Sequence, residues 1–273
     1  NEVEESDTRS MLETPQDDYT KSLWAVRDFK REQKPRPTSG VPLISVKNVD
    51  ASYGDTPVLH DVSFDIFEGM TVAVVGESGS GKSTTARCIT GLLPPTKGEI
   101  LFKGNALPAD YKERNKDQLR QAQMIYQMAD TALNPKVKIS EIIGRPAEFY
   151  SGLHGPELKN RVDELLDLIE LDPSQYYNRY PPELSGGQKQ RIGIARSLAA
   201  EPTFIICDEV TSALDQLVAE GILRLLDKLQ NELNLSYMFI THDLATVRSI
   251  ADEVVVMQYG KVVEQGPKDV MFT

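Results

Sequence analysis

The chain is 273 residues long and carries 30 Lys and Arg against 41 Asp and Glu, a net charge of −11. That acidity excludes broad, non-specific binding to a nucleic-acid backbone, which needs a basic face, although it permits a local anion site built from backbone N–H groups. No uninterrupted apolar run approaches the roughly 18–20 residues that span a bilayer, and two cysteines, Cys88 and Cys207, make no disulfide framework.

Residues 1–20 hold seven acidic side chains and one basic, and residues 21–37 reverse the balance with six basic and two acidic. Gln33-Lys34-Pro35-Arg36-Pro37-Thr38-Ser39-Gly40 is polar and proline-rich and reads as a linker, so ordered structure is expected from about Pro42. Residues 43–46 and 58–66 read as strands, the second partly alternating. Residues 71–75 form a β-branched run that ends at Gly76, the pattern of a strand buried on both faces. Residues 204–207, 237–240 and 254–257 repeat that pattern. Helical periodicity runs over 157–171, with Leu158, Val162, Leu165, Leu166 and Ile169 on one side. It returns over 216–233, with Ile222, Leu225, Leu226 and Leu229 inward and Glu220 paired with Arg224 outside. Strands alternating with helices imply an α/β layered fold. Residues from about 138 to 200 contain no convincing strand and read as a helical insertion.

Gly76-Glu77-Ser78-Gly79-Ser80-Gly81-Lys82-Ser83-Thr84 fits the phosphate-loop pattern G-x-x-x-x-G-K-[ST], between an apolar strand and a helix. Glycines let successive N–H groups turn toward phosphate oxygens, and the helix adds the positive end of its dipole. Lys82 is expected to reach the β- and γ-phosphates, and the Ser83 hydroxyl to bind Mg²⁺. The strand 204–207 runs into Asp208 and Glu209. Beside a phosphate loop, Asp208 suits the magnesium shell and Glu209 is placed to polarise an attacking water. Cys207 on that strand, and Cys88 after the phosphate loop, read as packed small residues.

Leu184-Ser185-Gly186-Gly187-Gln188 contains an S-x-x-Q capping box at the start of a helix. Two adjacent glycines exceed what a cap requires and leave bare N–H groups at a helix tip, a second anion site. One nucleotide does not need two such sites more than 100 residues apart, whereas a second copy facing the first would use both. His242 follows a strand and can donate to a γ-phosphate; His60 and His154 read as a strand and a loop residue. Gln127, after Met124-Ile125-Tyr126, is another polar group at a strand end, and Tyr53, about 20 residues ahead of the phosphate loop, is placed to stack on a base.

Together these residues resemble the ATP-binding subunit of an ABC transporter over about residues 43–273. The resemblance implies a P-loop ABC ATPase fold, with a mixed β-sheet core, an N-terminal antiparallel β subdomain and a helical subdomain at about 138–200. It makes Tyr53 the adenine contact, 76–84 the Walker A loop and 184–188 the signature. Gln127 becomes the Q-loop glutamine, sharing the Mg²⁺ with Ser83 and Asp208. Asp208 closes Walker B, Glu209 is the catalytic carboxylate, Ser212-Ala213-Leu214-Asp215 is the D-loop and His242 the switch histidine. Such domains act as head-to-tail pairs, with Ser185 and Gly187 serving the partner's γ-phosphate.

Ala132-Leu133-Asn134-Pro135 and the Val210 that follows Glu209 resemble the dipeptide, oligopeptide and nickel importers, while Met128-Ala129-Asp130 departs from that subfamily's usual Asp-Pro-aromatic. The implied partners are two transmembrane permease subunits and, indirectly, a solute-binding protein; the implied location is peripheral, on the cytoplasmic face of the inner membrane. The solute would be peptide-like or opine-like. The groove around Gln127 and 136–150 is the expected dock for the permease helices. Val3-Glu4 with Met11-Leu12 mirrors Val263-Glu264 with Met271-Phe272, so residues 1–41 are expected to be the end of a preceding, homologous ATP-binding domain plus a linker, with 42–273 the second domain of a fused pair. A soluble ABC ATPase acting on ribosomes or DNA, and a regulatory module without turnover, are the competing readings. The acidic charge argues against the first and the presence of Glu209 and His242 against the second.

Overall fold

The computed structural model describes residues 16–17 and 31–272; the mirrored segments near the amino terminus, at 1–15 and 18–30, lie outside the described residues. In chain order the strands are β1 (Ile44–Tyr53), β2 (Thr56–Ile66), β3 (Thr71–Val75), β4 (Lys97–Phe102), β5 (Asn105–Ala106), β6 (Ala122–Ile125), β7 (Phe204–Asp208), β8 (Ser236–Ile240), β9 (Glu253–Gln258) and β10 (Lys261–Pro267). The helices are α1 (Lys82–Thr90), α2 (Lys116–Gln121), α3 (Ala129–Ala132), α4 (Ile139–Ser151), α5 (Gly155–Leu168), α6 (Pro173–Tyr176), α7 (Gly186–Leu198), α8 (Gln216–Leu233), α9 (Leu244–Ile250) and α10 (Lys268–Met271).

The strands form two sheets. One is antiparallel, in the order β2-β1-β4-β5. The other runs β10-β9-β3-β8-β7-β6, parallel from β9 to β6 with β10 antiparallel at its edge. β3, β7 and β8 are buried along their whole length, which is why they read as unbroken apolar runs and not as alternations. Successive side chains still point to opposite faces. Val72, Val74, Phe204, Ile206, Met238 and Ile240 pack toward the antiparallel sheet and α1. Ile205, Cys207, Tyr237 and Phe239 pack toward the helical layer, against residues of α7 and α8. Between β6 and β7 the chain is helical, and α4, α5 and α7 pack on one another around Ile143, Val162, Leu165 and Ile194. No helix among the described residues is long and apolar enough to cross a membrane.

Because β3, β6, β7 and β8 are parallel, their carboxyl ends emerge at one edge, where α/β sheets place their ligands. The opposite edge is covered by residues the sequence reading assigned to a linker. The Arg31 N–H donates to Ser249 O at 2.9 Å, and its guanidinium bridges the fully buried Asp252 carboxylate, Gln230 and, at 3.6 Å, Asp227. Lys34 donates its backbone N–H to Asp252 Oδ1 at 2.8 Å and its ammonium to Gly69 O at 2.9 Å. Asp252 Oδ2 accepts from the N–H of Thr71, the first residue of β3, at 2.8 Å. The ordered chain therefore includes residues ahead of Pro42: a polar, proline-rich composition conceals cations whose partners lie some 200 positions away.

Candidate nucleotide site

β3 leads straight into the phosphate loop. Gly76 sits at φ 150°, where a Cβ would collide with the Met257 carbonyl oxygen, and Gly81 sits at φ 104°, where it would collide with Leu59. The loop rests on the turn between β9 and β10, whose Gly260 N–H donates to Ser80 O at 3.1 Å. α1 then begins, with Thr85 N–H donating to Gly81 O at 2.9 Å. Lys82 folds back over its own loop. Its ammonium donates to Gly76 O and Glu77 O, both at 2.8 Å. Burial holds this ammonium below the usual lysine range, and the carboxylates of Glu209 and Asp208 oppose that shift.

The carboxyl end of β7 stands opposite. Ser83 Oγ donates to Asp208 Oδ1 at 3.2 Å. Burial pushes the Asp208 carboxyl above the usual carboxylate range, the Ser83 hydrogen bond pulls it down, and Glu209 adds to the rise. Glu209 turns the chain at φ 49°, a left-handed conformation, with its N–H on Ile240 O at 2.9 Å. Gln127, just past β6, donates from Nε2 to Glu209 Oε2 at 2.7 Å, and His242 Nδ1 lies 3.4 Å from Glu209 Oε1. Four strand ends thus deliver Lys82, Gln127, Asp208, Glu209 and His242 to one place. Ser78, Gly79, Lys82, Ser83, Thr84 and Glu209 line a cleft of about 290 Å³ there, together with Gln127 and Val58.

Tyr53, at the end of β1, is 42% exposed, and Arg87 of α1 donates to its phenol oxygen at 3.0 Å. Sequence reasoning passed over Arg87; the available signal was its place one helical turn beyond Ser83. The Ser185–Gln188 turn forms the expected capping box: Ser185 Oγ accepts from the Gln188 N–H at 3.3 Å, and Gln188 Oε1 accepts from the Ser185 N–H at 2.9 Å. It lines no part of the cleft. Gly187 also has a packing role beyond bare N–H groups, since a Cβ there would strike a methyl group of Val218 on α8. Ser212 Oγ donates to Glu209 O at 2.9 Å, and Asp215 caps α8 through the Val218 N–H. His60 lies in β2 and His154 precedes α5, and neither lines the cleft. Burial pushes the Cys88 thiol up to about 12 and the Cys207 thiol higher still, so both are inert packed residues.

Residues 59–212 match the family described as ABC transporter. The oligopeptide transport ATP-binding protein OppF of Bacillus subtilis is 42% identical over 237 residues, a stretch that covers 84% of this chain and 77% of that protein. OppF of Haemophilus influenzae is 47% identical over 207 residues, covering 76% of this chain and 62% of its own length. The dipeptide transport ATP-binding protein DppF of the same organism is 40% identical over 227 residues, covering 83% and 69%. Among solved structures, cbiO1 of Clostridium perfringens superposes with a TM-score of 0.74 at 30% identity, covering 85% of this chain and 91% of that one. The ATP-binding cassette MJ0796, in a dimeric post-hydrolysis state bound to ADP and Pi, superposes with a TM-score of 0.71 at 32% identity, covering 82% and 98%. A phosphate loop, a capped glycine turn and a strand-end carboxylate pair, set on this fold in this order, agree with those likenesses: the chain belongs to the ABC transporter family and is an ATP-binding, ATP-hydrolysing subunit.

Proposed function

We propose that the chain powers import of a peptide-like solute, working in a head-to-tail pair of ATP-binding domains beneath two transmembrane permease subunits at the cytoplasmic face of the membrane, with a solute-binding protein delivering the cargo. The observation that carries the catalytic part is the convergence of Gln127 and His242 on Glu209 across the cleft from Lys82. In this reading the N–H groups of residues 76–84 and the Lys82 ammonium hold the β- and γ-phosphates. Tyr53 takes the adenine, Glu209 accepts a proton from the attacking water, and His242 donates to the γ-phosphate. Ser185, Gly186, Gly187 and Gln188 serve the triphosphate of the partner domain, consistent with their absence from this chain's own cleft.

Ser83 Oγ and the buried Asp208 carboxylate, with the Gln127 amide beside them, are hard oxygen donors of the kind Mg²⁺ takes. Burial raises the Asp208 carboxyl and the neighbouring Glu209 adds to the rise, so a cation bound between them would favour the ionised form. Bound there, Mg²⁺ would offset the charge of the phosphate oxygens. A groove of about 510 Å³ beside α4 and α5, lined by Asn134, Val137, Glu141, Arg145, Glu148 and others, suits the cytoplasmic helices of the permeases. The OppF and DppF relatives are named for oligopeptide and dipeptide transport, which supports the solute class. The test is coupling: the chain assembled with its permeases should hydrolyse ATP faster when a peptide-loaded binding protein is added. Turnover indifferent to that addition, or co-purification with ribosomes or DNA in place of membrane subunits, would overturn the transport reading.

A further inference from the structure

Ser83 and Arg87 stand one helical turn apart, and both are exposed on the face of α1 that looks toward the cleft and the β1–β2 hairpin. Tyr53 lies at the tip of that hairpin, paired with Thr56 across a turn that Gly54 makes at φ 57°. An aromatic ring at a hairpin tip has few packed neighbours to fix its angle. Arg87 supplies the restraint: its Nη1 donates to the Tyr53 phenol oxygen at 3.0 Å, and its guanidinium carbon lies 5.9 Å from the ring centroid. Val58, on the neighbouring strand β2, lines the phosphate cleft, so the ring stands beside the route from phosphates to base.

We infer that Arg87 is a positioning residue for the nucleotide base: it clamps the Tyr53 ring at the angle on which a purine stacks, and so sets affinity for purine nucleoside triphosphates. The inference rests on Tyr53 being the base contact. Stacking reads a flat ring and not its hydrogen-bonding edge, so ATP and GTP should depend on Arg87 alike.

The test is calorimetric titration of the full chain with ATP and, separately, with inorganic tripolyphosphate, which has the phosphates and no base. Arg87→Ala and Tyr53→Phe should each weaken ATP about three- to tenfold, the effect of losing one charge-assisted hydrogen bond at a half-exposed site. Tripolyphosphate affinity should stay put, the double variant should lose no more than either single one, and Arg87→Lys should recover part of the loss. Equal losses with both ligands would make Arg87 a phosphate contact and overturn the inference, as would unchanged ATP binding in Arg87→Ala. Tyr53→Ala separates the two levels. If it binds ATP as tightly as the parent, the base contact itself is misassigned. If it weakens ATP while Arg87→Ala does not, only the clamp is wrong. Matching melting temperatures exclude misfolding in each variant.

Discussion

Gln127 Nε2 donates to Glu209 Oε2 at 2.7 Å, tying the end of β6 to the turn after β7. With His242 Nδ1 3.4 Å from Oε1, each oxygen of this carboxylate has a polar side chain beside it. Glu209→Gln keeps the shape and removes the base. Turnover of ATP should fall by about 100-fold or more, the scale of a positioned general base, while nucleotide binding persists. Phosphate release and fluorescent-nucleotide titration on one preparation check both halves. Unchanged turnover would remove Glu209 from catalysis.

Burial raises the Asp208 carboxyl above its usual value, so the folded state favours the protonated form. An acid whose folded pKa is raised contributes stability that is fully present below its unfolded pKa and is lost as pH rises through the folded one. Asp208→Asn does not titrate. In denaturant melts without nucleotide, its stability advantage over the parent should be absent below the ordinary aspartate pKa of 3.8 and grow toward neutral pH. Added Mg²⁺ with ATP should reverse the order at neutral pH. A gap that shrinks as pH rises would contradict the burial argument.

Asp252 is fully buried and accepts from Thr71, Lys34 and Arg31. Removing one member of a buried, hydrogen-bonded ion pair typically costs about 3–5 kcal/mol. Asp252→Ala should destabilise the chain on that scale, and Arg31→Ala by less, because Arg31 leaves Asp252 two backbone donors. Chemical denaturation measures both; an Arg31→Ala variant as stable as the parent would show that the strap formed by residues 31–36 rests on the sheet edge without stabilising it.

Gly187 faces Val218 so closely that a methyl group has no room. Gly187→Ala should cost about 1–3 kcal/mol as overpacking, and adding Val218→Ala should restore most of it, which thermal melting of the single and double variants would detect. If the single variant melts like the parent while ATP turnover of the paired domains collapses, the glycine is there for its N–H group and not for packing.

The chemistry-bearing residues were legible because each follows an apolar strand or opens a helix, and both carry strong periodic signals. Asp208, Glu209 and His242 fall at or just past apolar strands, and Lys82 opens α1 after the phosphate loop. β4 and β10 were not legible: Lys97, Gly98 and Glu99 of β4 are exposed beyond the two-residue β5, and Glu264 and Gln265 are exposed at the edge of the other sheet, so neither strand shows the buried pattern. The strap at 31–36 and the Arg87–Tyr53 clamp escaped for a different reason. Their partners are 34 to more than 200 positions away, and polar side chains at such separations leave no periodic trace.

The self-contact of Lys82 bears on affinity. Its ammonium already saturates two carbonyl oxygens of the loop that is to receive a ligand. An arriving triphosphate therefore swaps partners for that cation and gains only the difference. The net stabilisation from this lysine is therefore smaller than a free ammonium would supply, because two internal hydrogen bonds are exchanged for the new ones.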